Sequence, residues 1–311
     1  MMWSFDNFLG KAQLYFSRAA GHPHAEDDEV ALWILLGLEF LLRAPLARVN
    51  PTLLADPTGD SIMHAAGYHT KNPKSIQASG VLSRLTLVIP EFAERESEAK
   101  FLIGLRNEEL HSSESPLAAD QAKWLPRFIR VADTLCGHLG LKTEDVVGAD
   151  IVAHGRSLVD VEDKKLAHEV KTRLQAAKEF FSRLRPDEVQ ARIKAAESPV
   201  GRDALTRRYL DSVSPGSGQL AFERVSCPGC AVTVPLRLES VRTTKEWLEG
   251  DEVKSEIVCI ARQLLCPICE LSLVSTAELR LADVPQQYVI ERSEDLLERY
   301  SGGFEDDYGN D

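Results

Sequence analysis

Apolar side chains recur at helical spacing through most of the first two hundred residues, and alternate with polar ones only toward the end. Trp3, Phe5, Phe8, Leu14 and Phe16 give residues 2–19 an apolar face and predict a first helix, broken by Gly21-His22-Pro23-His24. Two histidines in a proline loop, with no cysteine nearby, make a poor metal site. The acidic run at 26–29 opens a second helix, at the end where the backbone dipole favours negative charge. To Leu42 this helix is apolar on all sides except at Glu39, so it belongs at the centre of a bundle.

Pro45 to Asp60 reads as loop or broken helix, and residues 61–72 as one short turn of helix. Helices are predicted over 75–89, 91–111 and 118–139, ended by Pro90, Ser112–Pro116 and Gly140. Residues 143–148 form a turn, and 160–184 and 187–197 are helices of mixed charge, with solvated faces or packed across a dimer. Ser212–Gly218 has linker composition. Strands are predicted over 220–225, 232–241, 252–265 and 270–281, and residues 286–300 add a short strand and a helix. The fold class is mainly α. A helical bundle spans 1–142, a helical connector and linker 143–218, a small β-rich domain 219–300 and a disordered acidic tail 301–311.

The net charge is −12, which argues against a general nucleic-acid coat. It is unevenly spread: residues 1–150 carry −6, residues 151–220 carry +3 and residues 221–311 carry −9. Contact with RNA would therefore be local. The longest apolar run, Val30–Leu42, is too short to span a bilayer, and no basic region precedes an apolar one at the N-terminus. The expected compartment is the cytoplasm, with no membrane partner.

In that compartment cysteines signal metal before disulfides. Cys227-Pro-Gly-Cys230 and Cys266-Pro-Ile-Cys269 sit at predicted strand ends, 35 residues apart. Two such turns let four thiolates meet one tetrahedral Zn2+, and four sulfurs leave no open position. The expected role is structural, one zinc per chain, in a zinc ribbon. Cys136 and Cys259 lie among apolar neighbours and read as packing.

The other candidate chemistry is Arg106-Asn107-Glu108-Glu109-Leu110-His111. On a helix, Ala99, Leu102, Ile103 and Leu110 fall within about 60° of Arg106, so a guanidinium sits in an apolar stripe. Asn107 and His111 share the neighbouring face. Arginine's fork fits phosphate oxygens and histidine moves protons near neutrality. Arg-x4-His arises by chance roughly 0.6 times in such a composition, and about 0.01 times with Asn after the Arg. The pair alone carries little weight and the triplet more. The bland alternative is an interior arginine and a surface histidine at a helix C-terminus. No Gly-rich phosphate loop, Ser-His-Asp order or internal repeat stands out.

Arg-Asn-x3-His near the end of a helix resembles the HEPN superfamily. Gly37–Arg43 resembles an early helix of those domains, which often carries an acidic residue. Pro116-Leu117 and Trp124-Leu125-Pro126 resemble the lead into their final helix, so the likeness covers roughly 25–140. It implies a metal-independent endoribonuclease with a toxin or anti-phage defence role. In it a 2′-hydroxyl attacks the adjacent phosphate. Arg106 stabilises charge on phosphorus, His111 is acid or base, Asn107 supports them, and Glu39 is the weaker transfer. One histidine per chain is a poor acid–base set, which favours a homodimer. The expected partners are RNA, with tRNA a candidate, and a regulatory protein. The alternatives are a non-catalytic module binding RNA, nucleotide or protein, and a zinc-ribbon regulator with a helical dimerisation domain.

Overall fold

Two capping side chains start the first helical pair: Ser4 accepts from the Asn7 amide, and Asp27 from the Glu29 amide. The computed structural model describes residues 3–24, 27–118, 120–211 and 220–296. The expected linker at 212–218, tail at 301–311 and helix beyond residue 296 lie outside them. The chain divides into two compact units, Met1–Asp163 and Lys164–Asp311.

The first unit is helical. α1 (Phe5–Ala20) packs along α2 (Asp28–Val49). Around them lie α3 (Ser61–Ala65), α4 (Ala78–Val88), α5 (Glu96–His111), α6 (Leu125–Leu139), α7 (Thr143–Val147) and the first part of α8 (Ala149–Arg183). Phe16, Leu38, Leu42, Leu85, Phe92, Leu102, Trp124, Phe128 and Leu135 form one core.

The α1–α2 crossing needs Gly37: a Cβ there would lie 2.5 Å from the Phe16 ring, which is only 1 % exposed. Gly37→Ala should therefore destabilise the protein. Overpacking costs about 1–3 kcal/mol, against a gain of roughly 1 kcal/mol in helix propensity. A thermal melt should show Tm lowered by a few degrees; an unchanged Tm would mean that α1 yields freely.

Helix α2 is longer than its sequence suggests. It runs unbroken through Pro45, where a loop or broken helix is expected, to Val49. Ala44, Leu46 and Ala47 are buried beyond Leu42, and that burial offsets the roughly 3 kcal/mol a proline costs inside a helix. At this length α2 can cross a membrane by length and composition, although the uninterrupted apolar run looked too short; 72 % of its most apolar window is buried inside the protein.

Three other expectations shift. Residues 90–94 form a 3-10 turn before α5. Short turns at 116–118 and 121–123 precede α6, whose Pro126 sits in the first turn, where a missing N–H costs nothing. Helix α8 starts eleven residues before the expected 160. It also carries the boundary between the two units, so the anticipated connector is shared between them.

The second unit holds the rest of α8, α9 (Pro186–Glu197), α10 (Pro199–Leu210), α11 (Thr276–Leu281) and an antiparallel sheet. β1 (Leu220–Ser226), β2 (Thr233–Glu249), β3 (Glu252–Leu265) and β4 (Ser272–Leu273) lie in that order, and β5 (Gln287–Asp295) also pairs with β3. Gly250, at φ +65°, opens the two-residue turn between β2 and β3. β1 pairs with β2 only as far as Glu239, so from Arg242 to Glu249 β2 has β3 alone beside it among the described residues. Where a strand is expected over 270–281, only Ser272–Leu273 is extended. Ser275 then caps α11 by accepting from the Glu278 amide.

The sheet, Val170 and Ala177 of α8 and Leu279 of α11 share a core. Tyr209 of α10 is fully buried: its hydroxyl donates to Pro235 O at 2.6 Å and accepts from Leu265 N at 3.0 Å. Burial pushes its pKa up to about 12, so it stays a donor. Tyr209→Phe strands one buried donor and one buried acceptor and should cost about 1–3 kcal/mol in chemical denaturation. An unchanged midpoint would mean that water replaces the hydroxyl.

Candidate functional site

Two matching turns build the cysteine cluster. In the first, Cys227 N donates to Val232 O and Ala231 N to Cys227 O; in the second, Cys266 N donates to Leu271 O and Glu270 N to Cys266 O. The residue after each pair, Ala231 at φ +59° and Glu270 at φ +65°, is left-handed and turns the chain back into a strand. The Gly229 and Cys269 amides point at the Cys227 and Cys266 sulfurs, at 3.4 and 3.5 Å. A Cβ on Gly229 would come 3.0 Å from Cys269 Sγ, so this turn takes glycine.

All four Sγ atoms lie within 4.8 Å of one another, and the Cys227–Cys269 and Cys230–Cys266 separations are both 3.6 Å. A tetrahedron of sulfurs about 2.3 Å from a central ion has edges of about 3.8 Å, so the cluster fits a metal ion. Cys266 and Cys269, with the Gly229 and Cys230 amides, pull the Cys227 thiol down to about 2, while Cys227 pushes Cys269 up. Four thiols this close cannot all ionise without a cation among them. Arg192 of α9 braces the second turn, donating to Ile268 O at 3.2 Å and Glu270 Oε1 at 3.1 Å. Cys259 is buried in β3, beside Ser240 and outside the cluster; Cys136 is buried in α6, and burial raises its thiol to about 11.

The second candidate lies on α5 and α2. Arg106 donates through Nη2 to Glu39 Oε2. The other carboxylate oxygen faces Arg43 Nη1 at 3.2 Å, and the same nitrogen donates to Glu39 O at 2.8 Å. Glu39 thus sits between two guanidiniums, and the cluster keeps one net positive charge. Burial pulls the Arg43 pKa down, against the pull of Glu39. A buried carboxylate meets an arginine whether the pair is structural or functional, so this contact does not separate the two. Arg43 is not assigned from the sequence, although the spacing of four from Glu39 is the signal.

Asn107 and His111 are exposed. Ser112, whose amide bonds to Glu108 O, ends the helix. Among the described residues His111 has no hydrogen bond, ion pair or ring contact. Arg106 and His111 are five positions apart, about 140° around the helix. Leu110, expected in the apolar stripe around Arg106, is 45 % exposed; Ala99 and Leu102 are buried. The stripe holds along the body of α5 and lapses in its last turn.

No family model, curated protein or solved structure matches this chain.

Proposed function

We propose that the chain is a HEPN-like, metal-independent endoribonuclease that works as a symmetric pair, with a structural zinc held by Cys227, Cys230, Cys266 and Cys269. The observation that carries the reading is an arginine oriented by a carboxylate, followed on the same helix by an exposed histidine with no hydrogen-bond or ion-pair partner among the described residues. Glu39 occupies one of the five donors of Arg106 and leaves others for a phosphate. A free imidazole can take up and give back a proton near neutrality. The 140° between them keeps both from one phosphate within a single helix; a second copy supplies the other histidine. The all-sulfur ligand set and its tetrahedral spacing support zinc in a closed, non-catalytic site. Expected partners are RNA, a second copy and a regulatory protein, in a cytoplasmic toxin or anti-phage setting.

The Arg106–Glu39 pair also favours a second reading, in which it is a clasp between α2 and α5 and the helical unit binds RNA or protein without cutting. Incubation of the pure protein with total RNA and tRNA, followed by end-group analysis, separates the two. The nuclease leaves 2′,3′-cyclic phosphate ends, spares all-DNA substrate, which lacks the nucleophile, and works in EDTA as long as the sheet unit stays folded. Intact RNA beside measurable RNA binding selects the second reading; cut DNA overturns the proposed chemistry.

A further inference from the structure

One surface of the α1–α2 pair combines aromatic rings and unneutralised cations. Tyr15 lies between Trp33 and Phe40, 5.6 Å from each ring centroid, at interplanar angles of 19° and 12°. Phe8 continues the row at 6.4 Å from Phe40. Trp33, Tyr15 and Phe40 are half-buried, whereas Phe8 at the end of the row belongs to the core. Arg18 lies 5.4 Å from the centroid of Tyr15 and 5.1 Å from that of Trp33, and Lys11 lies 4.5 Å from that of Phe40. Such cation–ring contacts occur about once per 70–80 residues, so three on two neighbouring helices is a concentration. Neither Lys11 nor Arg18 has a carboxylate partner among the described residues, in a chain of net charge −12. Glu29 bonds the edge of the Trp33 indole at 3.2 Å and leaves its face to Arg18. Phe40 directly follows Glu39, the residue that holds Arg106.

We propose that Trp33, Tyr15 and Phe40, with Lys11 and Arg18, form a track for an unpaired stretch of RNA leading to Arg106. Flat rings accept any base by stacking, and the two cations meet the phosphates between the bases. Paired RNA keeps its bases inside the helix and meets only the cations, so the track selects single-stranded substrate. This rests on the ribonuclease reading for what lies at the end of the track, though not for binding itself.

The test uses the full-length protein and a fluorescein-labelled, unstructured 12-nucleotide RNA, with a duplex of the same sequence as control, read by anisotropy. Tyr15→Leu and Trp33→Leu keep an apolar side chain but remove a ring; Lys11→Gln and Arg18→Gln change only exposed charge and keep the test valid if a ring variant fails to fold. Each variant should bind single-stranded RNA roughly 10-fold more weakly, with duplex affinity changed far less for the ring variants. Where cleavage is measurable, KM should rise with kcat unchanged. Affinity within twofold of wild type in every folded variant overturns the track. So does loss of self-association in sedimentation without an effect on RNA, which would make this face a contact between copies. If wild type cuts nothing yet binds RNA through these rings, the nuclease reading falls and the track stands. If His111-dependent cutting proceeds with unchanged KM in the variants, the track falls alone.

Discussion

Serine in place of Cys266 should strip the protein of its metal and unfold the sheet-bearing unit while the helical unit stays folded. The four sulfurs are buried or nearly so, and their turns close the ends of β1, β2, β3 and β4. Binding a structural zinc to four thiolates is worth about 10–16 kcal/mol in apparent terms, comparable to or larger than the whole stability of an ordinary domain. The core around Leu236, Leu238, Leu264 and Leu273 cannot make up that loss while also burying ionised or crowded thiols. The helical core includes none of these four cysteines, so it should melt as before. Elemental analysis should find one zinc per chain in wild type and none in Cys266→Ser. Limited proteolysis should then remove residues 220–296 and spare residues 3–163. A variant that keeps both its metal and its protection would refute the cluster as a metal centre. Thiol counting on the unfolded wild type checks the competing pairing as disulfides, since the Cys227–Cys269 sulfurs are already 3.6 Å apart.

Replacing His111 by alanine should abolish RNA cleavage and leave Tm where it was. The imidazole is exposed and makes no hydrogen bond, ion pair or ring contact among the described residues, so its removal should change stability by no more than about 0.5 kcal/mol. A general acid or base contributes about 10²–10⁴-fold, so the proposed role predicts a loss of that size. Arg106→Ala should be as damaging to cleavage, by about 10²–10³-fold, because it removes a fixed positive charge where phosphorane charge develops. It should also lower Tm, since Glu39 would be left with Arg43 alone. The contrast between the two variants is the useful result. Cleavage that survives His111→Ala would leave the imidazole without a role, whatever Arg106 does.

Much of this architecture can be read from the chain, and the failures share a cause. The helical bundle follows from apolar spacing, and the boundary of α6 from Gly140 at φ +70°. β3 is legible end to end because its polar–apolar order reflects one buried neighbourhood. α2 misleads because burial of Ala44 and Leu46, invisible locally, outweighs Pro45. α11 and α10 differ: Ser275 with Glu278, inside a run that reads as strand, and Ser198-Pro199 are short local start signals with little apolar periodicity behind them. At the candidate sites, cysteine spacing is enough to bring four sulfurs together, because two short turns permit little else. The Arg106 cluster is legible only in part. Glu39 stands out as the one charge in the apolar run Val30–Leu42, but how its two oxygens divide between Arg43 and Arg106 depends on how α2 and α5 pack.

The far half of β2 has a consequence for solubility. From Arg242 to Glu249 one row of its backbone donors and acceptors meets no second strand among the described residues, the arrangement from which sheets grow between molecules. Arg242, Lys245, Glu246 and Glu249 stud that row with charge of both signs, and a foreign strand would have to desolvate them to dock. The charged side chains of the hairpin thus guard this edge against fibrillar stacking.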